Sequence, residues 1–179
     1  HSFTLRIVGE FSGMLDDVEK RLLSGRGSVH VWVSNSRLIE AADGLEYLLG
    51  YPYGCVEQTT SSLIPWLSTT QLRDVLPQLD KTEEEVSSTI ESGIERLFSM
   101  QTSDGGLGYW PGATQSVLWG SAYGGIAVAM AQKQGLDVPT AQAEALWKYL
   151  AKSLRNTAEQ SGTYELSQRC LASYTLALA

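Results

Sequence analysis

The chain has 179 residues, 43% of them hydrophobic and 18% charged, with a mean hydropathy of −0.10. That composition suits one globular domain, or one domain plus a piece of another, and excludes wholesale disorder. Lys and Arg number 13 against 20 Asp and Glu, a net charge of −7 without the basic clusters that a phosphate backbone demands, so a nucleic-acid partner is excluded.

Residues 3–8 (Phe-Thr-Leu-Arg-Ile-Val) and 29–33 (Val-His-Val-Trp-Val) alternate or are β-branched, which predicts strands. Between them Met14, Leu15, Val18 and Leu22 share the spacing of one short helix face, and Gly25-Arg26-Gly27 marks a turn. Residues 37–49 read as a helix with Leu38, Ala41, Ala42, Leu45, Leu48 and Leu49 on one side, broken by Tyr51-Pro52-Tyr53-Gly54. A helix begins at residue 55 and runs toward 72 through Pro65, which is expected to kink or split it.

Residues 82–100 carry Val86, Ile90, Ile94, Leu97 and Phe98 as a helical stripe behind a Thr82–Glu85 capping box. Gln101 to Gly112 is a Gly-rich loop. Residues 116–134 predict a helix rich in small residues, which favours an inner place in a bundle; 139–155 and 165–179 predict two more amphipathic helices. Ile94-Glu95-Arg96-Leu97-Phe98 is loosely matched by Trp147-Lys148-Tyr149-Leu150, as in stacked or toroidal helical arrays. The expected fold is mainly α, an α/α toroid that the chain includes only in part, with a short β-containing N-terminal segment. The domain reading is a β-containing lead at 1–36, belonging to an adjoining domain, and a helical domain at 37–179 truncated at its C-terminus. The absence of an initiating Met at His1 and the helical pattern still running at Ala179 read as a piece of a longer protein.

The sharpest chemical feature is Gly54-Cys55-Val56-Glu57-Gln58. Cys55 and Gln58 lie at i and i+3 at a helix start, so their side chains share a face. The positive end of the helix favours a thiolate. A thiolate held against a carboxamide can displace ammonia and leave an intramolecular thioester. Such a bond acylates amines and hydroxyls, hydrolyses where water reaches it, and so needs a dry pocket until it is triggered.

Tyr51-Pro52-Tyr53-Gly54-Cys55-Val56-Glu57-Gln58-Thr59-Thr60-Ser61 resembles the thioester site of the α2-macroglobulin and complement thioester proteins, in its bacterial form. The family pattern Pro-x-Gly-Cys-x-Glu-Gln is met by Pro52, Gly54, Cys55, Glu57 and Gln58; Val56 departs from the glycine usual in vertebrate members. Pro65 and the Asp104-Gly105-Gly106 loop extend the similarity, which covers roughly residues 37–179. The resemblance implies a thioester between Cys55, the leaving group, and Gln58, the acyl donor, with Tyr51, Pro52, Tyr53, Gly54 and Glu57 as motif support. It implies a broad-spectrum endopeptidase inhibitor that is cleaved by an attacking peptidase and links covalently to it, a trap and not an enzyme. Partners would be peptidases, through amine nucleophiles, and the rest of the parent chain. The setting would be periplasmic or at the cell envelope, with membrane attachment only through an anchor outside this chain. No cofactor or metal is implied. The family's acyl-accepting histidine has no counterpart after His30, so amines are expected to be preferred over hydroxyls.

Other readings compete. A toroid-fold terpenoid cyclase or prenyltransferase shares loops such as Gln101-x-x-Asp104-Gly105-Gly106, but needs acidic clusters or zinc ligands that this stretch lacks. A cysteine peptidase using Cys55 needs an imidazole, and only His1 and His30 exist. A helical interaction module with a dead thioester fits the same residues. Cys170 is expected to pack in the core and His30 to lie at a surface or edge. Trp66, Tyr109, Trp110, Trp119, Tyr123 and Trp147 are expected to be mostly core or inner-wall residues, with Tyr51 and Tyr53 as the local candidates for shielding the bond.

Overall fold

The computed structural model describes residues 54–68, 82–155 and 162–179, together with the backbone of two strands, β1 (Phe3–Val8) and β2 (Val29–Ser34). The strands pair in parallel, from Phe3 beside Val29 to Val8 beside Ser34. Parallel pairing requires a crossover connection, and residues 9–28 are long enough to supply one. The short helix expected around Met14–Leu22 and the helix expected at 37–49 lie outside the described residues, as do Tyr51, Pro52 and Tyr53.

Among the described residues five helices follow: α1 (Val56–Leu67), α2 (Glu83–Phe98), α3 (Leu118–Lys133), α4 (Thr140–Arg155) and α5 (Thr163–Leu178). Helices α1, α2 and α4 bury the stripe that their spacing dictates. On α1 this is Val56, Thr59, Thr60, Leu63, Trp66 and Leu67; on α2 it is Ile90, Ile94, Leu97 and Phe98; on α4 it is Ala143, Leu146 and Leu150. The α2 start is the capping box expected from its sequence: the Glu85 amide donates to Thr82 Oγ1 at 3.1 Å, and the Thr82 amide donates to the Glu85 carboxylate at 2.9 Å. Glu83, Glu84 and Glu85 place negative charge at the positive helix end. Pro65 does not end α1, which runs two residues further to Leu67. Proline removes one N–H from the ladder, and the last turn closes beyond it through the Ser68 amide, which lies 3.0 Å from the carbonyls of both Ile64 and Pro65.

Helix α3 packs against α1, α4 and α5, while α2 packs on α1 and α4 on α5. The odd-numbered helices thus stand side by side with the even-numbered ones against them, the two-layer plan of an α/α toroid. Small residues make α3 the hub, as expected: Gly120, Ser121, Ala122, Gly124, Gly125, Ala127, Ala129 and Ala131 are all buried. Helix ends are held by long side chains from neighbouring elements. Gln134 Nε2 donates to the Leu67 carbonyl at 2.7 Å, closing α1. Arg169 donates to the carbonyls of Ser153 and Leu154 at 3.1 and 2.6 Å, at the negative end of α4. The buried Thr175 hydroxyl lies 2.9 Å from the Ala122 carbonyl on α3 and 2.9 Å from that of Leu171 on its own helix, so its burial leaves no hydrogen-bonding deficit.

Two expectations are corrected here. Cys170 is exposed, because α5 turns Ala172 and Thr175 inward and leaves Leu166, Cys170 and Tyr174 on its outer side. Tyr109 and Trp110 are 45% and 54% exposed instead of buried, since they stand on a surface loop whose buried anchor is Leu107. Trp66 is buried as expected.

Candidate functional site

Cys55 is the N-cap of α1, with extended backbone (φ −65°, ψ 176°), and Gln58 is the third residue of the helix. The Cys55 amide donates to Gln58 Oε1 at 3.2 Å. The side chains of Cys55 and Gln58 form a capping box in which sulfur stands where Ser or Thr usually does. The arrangement parallels Thr82 and Glu85 on α2, with the difference that the Cys55 sulfur makes no cap hydrogen bond and the Gln58 carboxamide supplies the one that closes the turn. Cys55 is half-buried; Gln58 and Glu57 are exposed.

Three contacts fix the chain where it enters α1. Gly54 is buried, and a Cβ there would lie 2.6 Å from Gln58 Cβ and 2.9 Å from the Thr59 amide, so only glycine lets the chain pass this close to the first turn. The Gly54 carbonyl accepts from Thr59 Oγ1 at 3.3 Å and from Arg96 Nη2, on α2, at 3.4 Å. Val56 is fully buried and its amide donates to the Tyr109 carbonyl at 3.0 Å. Room for Val56 comes from α3: a Cβ on Gly120 would stand 2.8 Å from Val56 Cγ1. The departure at position 56 is therefore matched in volume by a glycine on the next helix.

The Gly-rich loop is what presents Tyr109. Asp104 organises it: one carboxylate oxygen accepts from Thr102 Oγ1 at 2.6 Å and from the Gly106 amide at 3.1 Å, the other from Ser116 Oγ at 2.8 Å. Gln101 Nε2 donates to the carbonyls of Gly105 and Gln142, each at 2.9 Å, which ties the loop to α4. Leu107 is fully buried, and its amide donates to Ser121 Oγ on α3 at 2.7 Å. Partial desolvation pushes the Asp104 carboxyl up, but the hydrogen bonds from Thr102, Ser116 and Gly106 outweigh it and hold the group below its ordinary 3.8. The stabilisation from Asp104 is thus fully present above the unfolded-chain value and is lost as pH falls through the lowered folded value. The difference in thermal midpoint between the unmodified chain and Asp104→Asn is expected to hold from neutral pH to about pH 5 and to shrink as pH falls through the lowered folded value. A difference that persists unchanged at the acid end would show that the carboxylate charge is not what holds the loop.

A family profile described as the A-macroglobulin TED domain matches residues 29–179. The chain belongs to the α2-macroglobulin thioester-domain family. The α2-macroglobulin of Escherichia coli K12 is 35% identical to it over 97 residues, 54% of this chain and 6% of that protein. The native E. coli structure from domain MG7 to the C-terminus superposes with a TM-score of 0.65 at 30% identity, covering 76% of this chain and 22% of that one. The Salmonella α2-macroglobulin reacted with methylamine gives a TM-score of 0.65 at 29% identity over 76% of this chain and 9% of its own. The trypsin-activated E. coli protein gives 0.62 at 30% over 71% of this chain and 9% of its own. The chain therefore spans a small part of the length of these relatives, and within it the family fold is the helical toroid seen here.

Of the residues singled out in this thioester-domain sequence, the structure brings Gly54, Cys55 and Gln58 together and leaves Glu57 exposed, with no contact among the described residues that explains its place in the motif. Sequence reading missed Arg96, Thr59, Gly120 and the Tyr109 carbonyl. Gly120 carried a signal in the run of small residues on α3, and Thr59 lies within the stretch that bears the family resemblance; nothing in the sequence pointed to Arg96 or to the Tyr109 carbonyl.

Proposed function

We propose that this chain is the thioester-bearing part of a longer, bacterial-type α2-macroglobulin, a single-use covalent trap for attacking peptidases. The observation that carries the reading is the approach of the Gln58 carboxamide to Cys55 across the first turn of α1, 3.2 Å from its amide, within a matching Pro-x-Gly-Cys-x-Glu-Gln motif. To form the bond, Cys55 Sγ adds to Gln58 Cδ, the C–N bond breaks, and ammonia leaves with the thiol proton. To discharge it, an uncharged amine such as a lysine Nζ adds to Cδ, the C–S bond breaks, and the proton from the amine goes to sulfur. The products are an amide linking the two proteins and a free Cys55 thiol. The bond is consumed, so this is a trap and not a catalyst.

The exposure of Gln58 among the described residues gives the rest of the parent chain a second task, to keep water from the bond before activation. Tyr51 and Tyr53 are the nearest candidates by sequence. The methylamine-reacted and trypsin-activated relatives support amine chemistry and a peptidase trigger. In this reading 1–36 belongs to the adjoining domain and 37–179 to the thioester domain. The protein works outside the cytoplasm, in the periplasm or cell envelope, anchored if at all through a segment elsewhere; no helix among the described residues is long and apolar enough to cross a membrane.

Intact mass spectrometry of the parent protein tests the reading. The expected mass is lower by one ammonia than the sequence requires. Methylamine should then add once and free one thiol, while glycerol at equal concentration adds far less. A mass equal to the sequence, with Cys55 open to alkylation throughout, would reduce the pair to an ordinary helix cap in an interaction module.

A further inference from the structure

The Gly54–Cys55 peptide group is gripped on both edges. Its N–H donates to Gln58 Oε1 at 3.2 Å, and its C=O accepts from Arg96 Nη2 at 3.4 Å and Thr59 Oγ1 at 3.3 Å. No peptide bond among the described residues is cis, so the two edges of this unit point in opposite directions. Whatever holds the carbonyl also aims the N–H. Resting on the thioester reading above, we propose that the Cys55 amide is the oxyanion donor for acyl transfer at Gln58, and that Arg96 is the positioning residue that aims and polarises it.

The chemistry places the demand at this atom. When sulfur, an amine or water adds to Gln58 Cδ, the electron pair of the C=O bond moves to Oε1. It returns when ammonia or the Cys55 sulfur departs. A donor already directed at Oε1 stabilises that charge without reorganising, which is the largest single contribution in most acyl transfers. Drawing the Gly54 carbonyl toward a guanidinium leaves the opposite N–H more positive, as expected for hydrogen bonds coupled in a chain. A second observation marks Arg96 as more than a prop. Its Nε is buried and has no hydrogen-bond partner among the described residues. A guanidinium chosen only to brace a loop would be expected to satisfy its buried donors. Among the described residues its guanidinium donates to one carbonyl, the one that precedes the reactive cysteine.

The test uses the parent protein with Arg96→Met and Arg96→Lys, after its thioester has formed. Methylamine discharge and spontaneous hydrolysis both pass through the same oxyanion. Arg96→Met is therefore expected to slow both in parallel, by roughly tenfold, somewhat less than the loss of a direct donor. Arg96→Lys is expected to recover much of the rate, with an unchanged thermal midpoint. A prop that merely shields the bond would give the opposite sign: hydrolysis would quicken when Arg96 is lost. Faster hydrolysis, or unchanged rates for both nucleophiles, overturns the proposal. If Arg96→Met keeps the native midpoint but forms no bond, restoration by Arg96→Lys supports the proposal, since formation passes through the same charge; no restoration overturns it. An unmodified parent that never loses ammonia overturns the thioester reading itself, a result distinct from any defect confined to the Arg96 variants.

Discussion

Cys55→Ser is expected to leave the fold intact and abolish the covalent chemistry. Cys55 acts both as the N-cap of α1 and as the proposed sulfur nucleophile, and the substitution separates these roles. Serine is among the best N-cap residues, and Ser-x-x-Gln completes an ordinary capping box, so stability should stay the same or rise by up to about 1 kcal/mol. A serine hydroxyl is a far weaker nucleophile than a thiol near neutral pH and should displace no ammonia. Intact mass should match the sequence, and methylamine incorporation should fall to background while the unfolding midpoint holds. Incorporation that survived in Cys55→Ser would place the acylating group elsewhere. Gln58→Glu should behave alike, since it keeps the reciprocal cap and represents the hydrolysed form of the site.

Gly105→Ala is expected to be the most damaging single-methyl change near the site. Gly105 has φ of +91°, and a Cβ there would lie 2.5 Å from the Ala145 carbonyl oxygen, part of the α4 backbone and unable to swing aside. Left-handed strain costs about 1–2 kcal/mol for a residue with a Cβ, and forcing a methyl against packed backbone adds about 1–3 kcal/mol. The expected loss of about 2–5 kcal/mol should lower the unfolding midpoint by roughly 4–20 °C. The effect reaches the site because the same loop carries the Tyr109 carbonyl that receives the Val56 amide at 3.0 Å. Methylamine incorporation should fall along with stability. Gly112→Ala is the control: its φ is +79° but nothing lies within 4 Å, so only the strain remains. Equal midpoints for the two variants would show that contact with α4 does not hold the loop.

Much of this molecule is legible in one dimension because helices are local objects. The 3.6-residue spacing of Ile90, Ile94 and Leu97 sets which face of α2 is buried before any neighbour is known. The caps are equally local: Thr82 with Glu85, and Cys55 with Gln58, are each brought together by a single turn. The small residues of α3 announced a close-packed hub, although not that Gly120 would face Val56 in particular. Where the reading erred, the missing information was long-range. Cys170 lies on an apolar stripe, but α5 directs the opposite stripe toward α3 and α4. Tyr109 and Trp110 have the composition of core residues, yet the loop uses Leu107 as its buried anchor and leaves both rings in solvent.

The sequence by itself determined the helical elements, their buried faces and the pairing of a thiol with a carboxamide, since each depends on groups no more than one or two turns apart. Only the tertiary structure decided what surrounds that pair. Arg96 reaches Gly54 across 42 positions in the chain, and Tyr109 receives the amide of Val56 from a loop two helices away. Such contacts depend on how α1, α2 and α3 pack and on where a buried Leu107 seats the loop, and no local periodicity encodes that arrangement.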